Sequence, residues 1–188
     1  SFDLLPAAAE TVHADSKPVR GFRGLVEFKE VNFSYDGKDQ ILENFSLHIP
    51  AGETLAIVGH TGAGKTSLAR LIARFYEFQE GTLLVDGKDI RSLDLGDYRN
   101  HIGAVPQTPY LFTGSVRDNI RYGRPDADDT MVEKAARHIS GGDWIEDLPS
   151  GLDTDVGARG GSISMGQRQL VALARVLLKN PGLFILDE

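Results

Sequence analysis

The chain has 188 residues, of which 41% are apolar and 25% charged, a composition typical of a soluble globular domain and not of a disordered or fibrous chain. The formal net charge of −7 argues against a duplex nucleic-acid binder, which usually carries a basic excess. Cysteine is absent, which excludes disulfides and thiolate metal sites. No apolar run approaches the roughly 18 residues that a membrane-spanning helix needs.

The first part of the chain is predicted to form an antiparallel sheet. We expect order to begin near Leu25, after a tail or linker over residues 1–23 in which residues 4–12 are a weak candidate for a short helix. Apolar residues alternate over residues 26–28 and again, with the parity shifted by one, over residues 31–35. That shift predicts a strand with a bulge or bend. Residues 45–49 alternate in the same way and predict a second strand.

The elements that follow have the pattern of an α/β domain. Unbroken apolar runs at residues 55–58 and 183–186 predict strands buried on both faces, and residues 82–85 and 102–105 predict two further strands. Helical spacing predicts helices over residues 66–78, with Leu68, Leu71, Ile72 and Phe75 on one face, and over 164–178. Residues 130–139, capped by Asp128 or Asp129, and 144–148 predict two more helices in an acidic stretch, which we interpret as a solvated helical surface.

Residues 59–66 read GHTGAGKT, the pattern G-x-x-x-x-G-K-T. Glycines let the backbone wrap closely around a phosphate, whose oxygens the loop N–H groups and the start of the next helix then bind. Lys65 is expected to reach the β- and γ-phosphates, and the Thr66 hydroxyl to coordinate Mg²⁺. A chance glycine-rich turn is the alternative, and the strand before and helix after make it weak. The predicted phosphate-binding residues are Gly59, Thr61, Gly62, Ala63, Gly64, Lys65 and Thr66.

The apolar run at residues 183–186 leads directly into two acids. Beside a phosphate loop, Asp187 is expected to hold the Mg²⁺ shell and Glu188 to act as general base on the attacking water. Alone this pattern is weak, because buried strands often end in a solvated acid.

The segment at residues 163–167 reads ISMGQ, within GGSISMGQRQ. It resembles the signature L-S-G-G-Q of the ATP-binding cassette (ABC) ATPases, with Ile for Leu and Met165 for the first glycine. The resemblance implies that Ser164, Gly166 and Gln167 contact ATP held by a second subunit, in a head-to-tail dimer closed across the nucleotide. A plain helix cap is the alternative interpretation of Ser164.

The same resemblance, which covers residues 24–188, implies three further roles. Tyr35 matches the aromatic residue that stacks on adenine, although an ordinary edge-strand tyrosine is the alternative. Ser67 matches a contact to the α-phosphate. Gln107 matches the glutamine that touches Mg²⁺ and the attacking water, which makes it a predicted catalytic residue together with Lys65 and Glu188.

Residues 109–120, PYLFTGSVRDNI, look like the segment that follows this glutamine in ABC exporters. The resemblance implies that their exposed apolar side chains receive a short helix of a transmembrane domain, on the cytoplasmic side of the membrane. A loop packed on its own lobe is the alternative. The implied function is an ATP-hydrolysing module that powers export, with ATP and Mg²⁺ as cofactors and no nucleic-acid partner. Two functions stay open beside it: a non-transport ABC regulatory module, and a nucleotide-binding relic without turnover.

The predicted fold is α/β, a three-layer phosphate-loop (P-loop) ATPase core with an antiparallel β lobe and an inserted α-helical lobe over about residues 108–168. In the resembled family the chain continues past the catalytic glutamate, so we expect residues 24–188 to be a partial domain, truncated after Glu188. Such a fragment is expected to be soluble, to bind ATP·Mg with little or no hydrolysis and to expose an unpaired sheet edge.

Overall fold

A computed structural model describes residues 17–60 and 63–187 of the chain. Its contacts divide the chain between Ile102 and Gly103 into two compact units. The weak helix prediction for residues 4–12 lies outside the described residues.

An antiparallel sheet forms the framework of the first unit. Its strands are β1 (Val26–Ser34), β2 (Gln40–Ile49), β3 (Glu80–Val85) and β4 (Lys88–Asp89), in the order β2-β1-β3-β4. The pairing of β1 with both neighbours shifts register between residues 28 and 32, which confirms the predicted bulge. Glu30 adopts a positive φ of 50° there, and a Cβ on Gly81 of the neighbouring strand would overlap the Glu30 carbonyl. Glycine is therefore required at position 81.

Helix α1 (Lys65–Ile72) is shorter than the predicted helix over residues 66–78. Leu68, Leu71 and Ile72 are buried as expected, whereas Phe75 lies beyond the helix and is 54% exposed, so its placement on the buried face was wrong. The helix stops because Arg74 adopts a positive φ of 52°. Side chains satisfy the carbonyls at this end: Tyr98 Oη donates to Ile72 O at 2.7 Å, and Arg99 donates to the carbonyls of residues 73 and 74.

The prediction of a buried strand at residues 55–58 was wrong. These residues form no strand and are exposed, with Val58 exposed by 89%. A strand is stabilised only when a neighbour satisfies its backbone N–H and C=O groups, and the four-stranded sheet of the described residues does not include this segment.

Residues 17–25 precede β1 and contact other parts of the first unit. The backbone N–H groups of residues 23–25 donate to the Asp86 carboxylate, and Val19 N donates to Asp97 Oδ2 at 2.6 Å. These contacts place this segment beside the β3–β4 turn and beside α2 (Leu95–Asn100).

The second unit is mainly helical. It contains α3 (Val116–Arg121), α4 (Asp129–Arg137), α5 (Asp143–Glu146) and α6 (Met165–Lys179). Buried side chains of these helices and of the segments between them form a large cluster, which includes Leu111, Val132, Trp144 and Val171, while Ala172 and Val176 of α6 pack with Val105 in a smaller cluster. Asp128 caps α4 by accepting from Met131 N at 2.8 Å, as predicted.

Two short strands complete this part of the chain, β5 (Ile102–Val105) and β6 (Leu183–Leu186), which pair with each other. Both were predicted, but β6 is not buried on both faces, because Phe184 is 37% and Leu186 55% exposed. Among the described residues, no helix has the length and apolar character needed to cross a membrane.

Candidate functional site

The phosphate-loop pattern lies at the start of α1, as the sequence predicts. Lys65 Nζ donates to the carbonyls of Gly59 at 2.6 Å and His60 at 2.8 Å, and Ala63 N donates to His60 O at 3.1 Å. The ammonium group is therefore held across the loop by two neutral oxygens. Anionic phosphate oxygens form stronger, charge-assisted bonds with such a group, so this position suits a lysine that an incoming phosphate recruits.

Gly64 is the residue that turns the loop into the helix. It has a left-handed φ of 80° and is the N-cap of α1, and a Cβ there would lie 3.3 Å from Ile41 Cγ2. An L side chain would be strained at this position. Gly59 is also confined, since its Cβ would lie 3.3 Å from Ala63 Cβ. Thr66 is half-buried in the first turn, and Thr61 and Gly62 lie outside the described residues.

Tyr35 and Ser67 are brought together although 32 residues separate them. Tyr35 Oη and Ser67 Oγ are 2.8 Å apart. Ser67 is buried in α1, whereas Tyr35 at the end of β1 is 43% exposed. The predicted adenine-stacking ring and the predicted α-phosphate contact thus form one polar pair beside the phosphate loop.

Gln107 and Asp187 follow the two paired strands of the second unit. Asp187 N donates to Val105 O at 3.1 Å, so the ends of β5 and β6 meet. Gln107 is exposed, and its carbonyl lies 3.5 Å from Gln169 Nε2, which donates to it. Asp187 is half-buried, and Glu188 lies outside the described residues.

The signature-like segment forms the N-terminus of α6. Ser164 Oγ accepts from Gln167 N at 3.2 Å, and Gln167 Oε1 accepts from Ser164 N at 2.9 Å. This reciprocal pair is a capping box, so the helix-cap interpretation of Ser164 accounts for these contacts. Ser164, Met165 and Gly166 are all exposed, and a Cβ on Gly166 would have open space, with Ser164 Oγ 4.0 Å away. Contact between these residues and a nucleotide stays a prediction.

The predicted site residues therefore form two groups. Tyr35, Ser67 and the phosphate loop belong to the first unit, whereas Gln107, Asp187 and the segment at 164–167 belong to the second. In the described part of the chain, no group of three or more His, Asp or Glu side chains is placed to hold a metal ion. Thr66, Gln107 and Asp187 offer the oxygen donors that Mg²⁺ prefers, and Mg²⁺ commonly takes one or two protein ligands and completes its shell with phosphates and water.

Residues 109–120 are partly buried and partly exposed, so packing on their own lobe accounts for the buried side chains, and docking of a transmembrane helix stays a prediction. Leu111, Val116 and Ile120 are fully buried in the unit's own core, whereas Tyr110 is 54% and Phe112 40% exposed. The segment thus packs on its own lobe and still presents aromatic side chains to solvent.

A polar network beneath these aromatic residues was missed in the sequence. Arg175 of α6 donates to Asn119 O at 2.8 Å, Asn119 Oδ1 at 3.0 Å and Tyr110 O at 3.1 Å. Its guanidinium carbon also lies 5.8 Å from the Phe112 ring centroid, and burial lowers the pKa of Arg175. The sequence signal that could have revealed this network was Arg175 itself, the single cation in the apolar run of residues 170–178.

The comparisons with known proteins agree with these motifs. The family model described as ABC transporter matches residues 42–188. The uncharacterized ABC transporter ATP-binding protein YfiC of Bacillus subtilis (strain 168) is 47% identical over 190 residues, which cover 100% of this chain and 31% of the relative. A multidrug efflux ATP-binding/permease protein of Mycobacterium bovis is 47% identical over 92% of this chain and 15% of its own length.

A solved bacterial Atm1-family ABC exporter with ATP bound has a TM-score of 0.83 and 41% sequence identity, over 94% of this chain and 32% of that chain. The chain thus spans about a third or less of each of these relatives. The fold class predicted from the sequence, a P-loop ATPase of mixed α/β structure, matches this neighbour. Because the family model matches residues 42–188, which are most of the chain, the chain belongs to the ABC transporter family, whose ATP-binding domain its sequence contains.

Proposed function

We propose that this chain belongs to the ATP-binding and ATP-hydrolysing module of an ABC exporter, and that the chain itself binds ATP·Mg with little or no hydrolysis. The observation that carries the proposal is the Lys65 ammonium, held 2.6 and 2.8 Å from two loop carbonyls at the start of α1. Similarity to a multidrug efflux ATP-binding/permease protein and to an Atm1-family exporter supports the exporter class.

In this proposal the first unit binds the nucleotide. Tyr35 offers its exposed ring to the adenine, because aromatic faces stack on bases. The loop N–H groups hold the phosphates, and Lys65 exchanges its two neutral acceptors for the charged β- and γ-oxygens. Positioning and charge neutralisation are the main contributions of a protein to phosphoryl transfer, and these residues supply both.

The second unit contributes the groups that act on the attacking water. Glu188 accepts a proton from this water as general base, while Gln107 orients it. Mg²⁺, held by Thr66, Gln107 and Asp187, would neutralise phosphate charge when bound. Ser164, Gly166 and the half-buried Gln167 bind the ATP of a second, head-to-tail ATP-binding domain. A transmembrane domain of the transporter docks on this module at the cytoplasmic side of the membrane.

Calorimetric titration with ATP and Mg²⁺ tests the proposal. The unsubstituted chain is expected to bind, and Lys65→Ala to lower the affinity about ten- to a hundredfold, since hydrogen bonds to charged groups contribute about 1.5–3 kcal/mol. Lys88→Ala, which removes an exposed lysine of β4, is the matched control and should bind normally. Equal affinity of the Lys65→Ala variant, or no ATP binding by the folded chain, would contradict the proposal. Phosphate release from the same samples tests hydrolysis.

A further inference from the structure

The Tyr35 hydroxyl lies between two side chains of α1. Ser67 Oγ is 2.8 Å from Tyr35 Oη, and Arg70 Nη1 donates to the same oxygen at 3.3 Å. Positions 67 and 70 are three residues apart in α1, so their side chains share a face of the helix. The three side chains form a chain of hydrogen bonds that ends at the buried Ser67.

The chemistry of arginine favours one direction for this chain. A guanidinium group only donates hydrogen bonds, so Tyr35 Oη accepts from Arg70. Because hydrogen bonds in a chain polarise one another, a phenol that accepts from a cation is the better donor, which favours donation of the phenolic proton to Ser67 Oγ. In this arrangement the Ser67 hydroxyl keeps its own proton for a further acceptor.

Phosphate oxygens accept hydrogen bonds and do not donate them when ionised. A serine that serves a phosphate must therefore be the donor, which is the state that the favoured direction of the chain of bonds gives Ser67. We propose that Arg70 and the Tyr35 hydroxyl hold Ser67 as a hydrogen-bond donor to the phosphates of the bound nucleotide, with Arg70 as a positioning residue. This inference rests on the proposed function, and it gives Tyr35 a second role besides that of its ring.

The ring of Tyr35 and its hydroxyl group are held by different neighbouring side chains. Phe33 and Tyr76 each pack edge-to-face against the ring, with centroids 4.8 Å away in both cases. These contacts persist when the hydroxyl is removed, because neither uses the phenolic oxygen. Tyr35→Phe therefore removes the hydrogen bonds and leaves the stacking surface in place.

A double-mutant cycle for ATP binding, measured by calorimetry with Mg²⁺ on the full chain, tests the proposal. Tyr35→Phe and Ser67→Ala are each expected to weaken ATP binding about three- to tenfold, because Ser67→Ala removes one net hydrogen bond at the phosphate and Tyr35→Phe removes the bond that orients the Ser67 hydroxyl. The double variant should bind no more weakly than Ser67→Ala alone, since the hydroxyl of Tyr35 acts only through Ser67. Independent losses that multiply in the double variant would overturn the proposal.

Arg70 is tested by a pair of substitutions that differ in hydrogen-bonding ability. Arg70→Met removes the donor and is expected to weaken ATP binding two- to fivefold when residue 35 is tyrosine, and not at all in the Tyr35→Phe background. Arg70→Lys retains an N–H donor and should restore most of the affinity. A merely structural role for Arg70 would lower the melting temperature in either background without this dependence on Tyr35, and that result would overturn the proposal.

The outcomes separate this inference from the proposed function. If the unsubstituted chain binds ATP and Lys65→Ala binds it more weakly, but Tyr35→Phe or Ser67→Ala binds as tightly as the unsubstituted chain, only the present inference fails. Absence of ATP binding by the folded, unsubstituted chain would overturn both. Melting temperatures recorded for every variant show that the samples compared are folded.

Discussion

Asn119 is a polar residue in the core of the second unit, where it is only 2% exposed. Its amide nitrogen donates to Phe112 O at 2.8 Å and Ser115 O at 3.0 Å, and its Oδ1 accepts from Phe112 N and Arg175. A buried amide is tolerated when its donors and acceptors are satisfied. This one residue therefore holds the segment before α3 in place.

Replacing Asn119 by Ala is expected to lower the free energy of unfolding by about 2–4 kcal/mol, because several buried partners lose their hydrogen bonds. Urea unfolding measures the change. Asn119→Asp should also destabilise, since its second oxygen would face the carbonyls of residues 112 and 115, even though Arg175 is adjacent. Asn100→Ala, at an exposed position, should change stability by less than about 0.5 kcal/mol. A stable Asn119→Ala variant would show that the network is dispensable.

At the scale of single elements, a helix cap explains where α3 begins. Ser115 Oγ accepts from Asp118 N at 3.0 Å, and the Asp118 carboxylate accepts from the Ser115 backbone and hydroxyl. The Ser115 hydroxyl bond lowers the pKa of Asp118, burial opposes this lowering, and the Ser115 backbone bond, Arg121 and Arg117 add to it. A carboxyl group whose pKa is lower in the folded chain stabilises above its ordinary pKa, about 3.9, and loses this contribution as the pH falls through the folded value.

Asp118→Asn is therefore expected to lower the free energy of unfolding at pH 7, with the difference from the unsubstituted chain shrinking as the pH falls from 5 towards 3. Urea titrations at a series of pH values measure this difference. Asp147→Asn, at an exposed position of the same unit, provides the matched control. A difference that grows towards acid pH would contradict the assigned sign.

The predictions of helix bounds were accurate where the local sequence signals are strong. The bounds of α6 agree within one residue with the prediction, because Ser164 caps its start and Asn180 ends it with a left-handed φ of 52° before Pro181. Helix α1 was predicted too long, since its stop depends on Tyr98 and Arg99, which lie distant in sequence. Helices α2 and α3 have six residues each, too few to produce a clear helical period.

At the scale of the whole chain, the exposed apolar residues of the described part include one segment in each unit. Ile57 and Val58 are 42% and 89% exposed, and Phe184 and Leu186 of β6 are 37% and 55% exposed. Exposed apolar strands and extended segments favour association between chains.

The chain is therefore expected to self-associate with increasing concentration, as measured by sedimentation velocity. The double substitution Phe184→Lys and Leu186→Lys should reduce the association, because it places charge on an exposed strand. Tyr122→Lys, which alters a 61% exposed residue directly after α3, serves as the comparison. If only Tyr122→Lys reduced the association, the exposed strand β6 would not be the cause of the association.

The chemistry of the phosphate-loop site could be inferred from the amino-acid sequence alone. Gly64, Lys65 and Thr66 are adjacent in sequence, and the helix that begins there is signalled locally, so the type of site and the family followed without contacts, although the strand predicted before them was wrong. The bulge of β1 and both ends of α6 were also local properties. The roles of these residues towards ATP stay predictions.

Long-range packing decided the rest. The contact of Tyr35 with Ser67 spans 32 residues, and that of Asn119 with Arg175 spans 56. No period or motif encodes such pairs, because they arise only when distant segments fold against each other. The apolar run at 55–58 shows the same limit in reverse, since hydrophobicity alone predicts a buried strand, but a strand forms only where a neighbour pairs with its backbone.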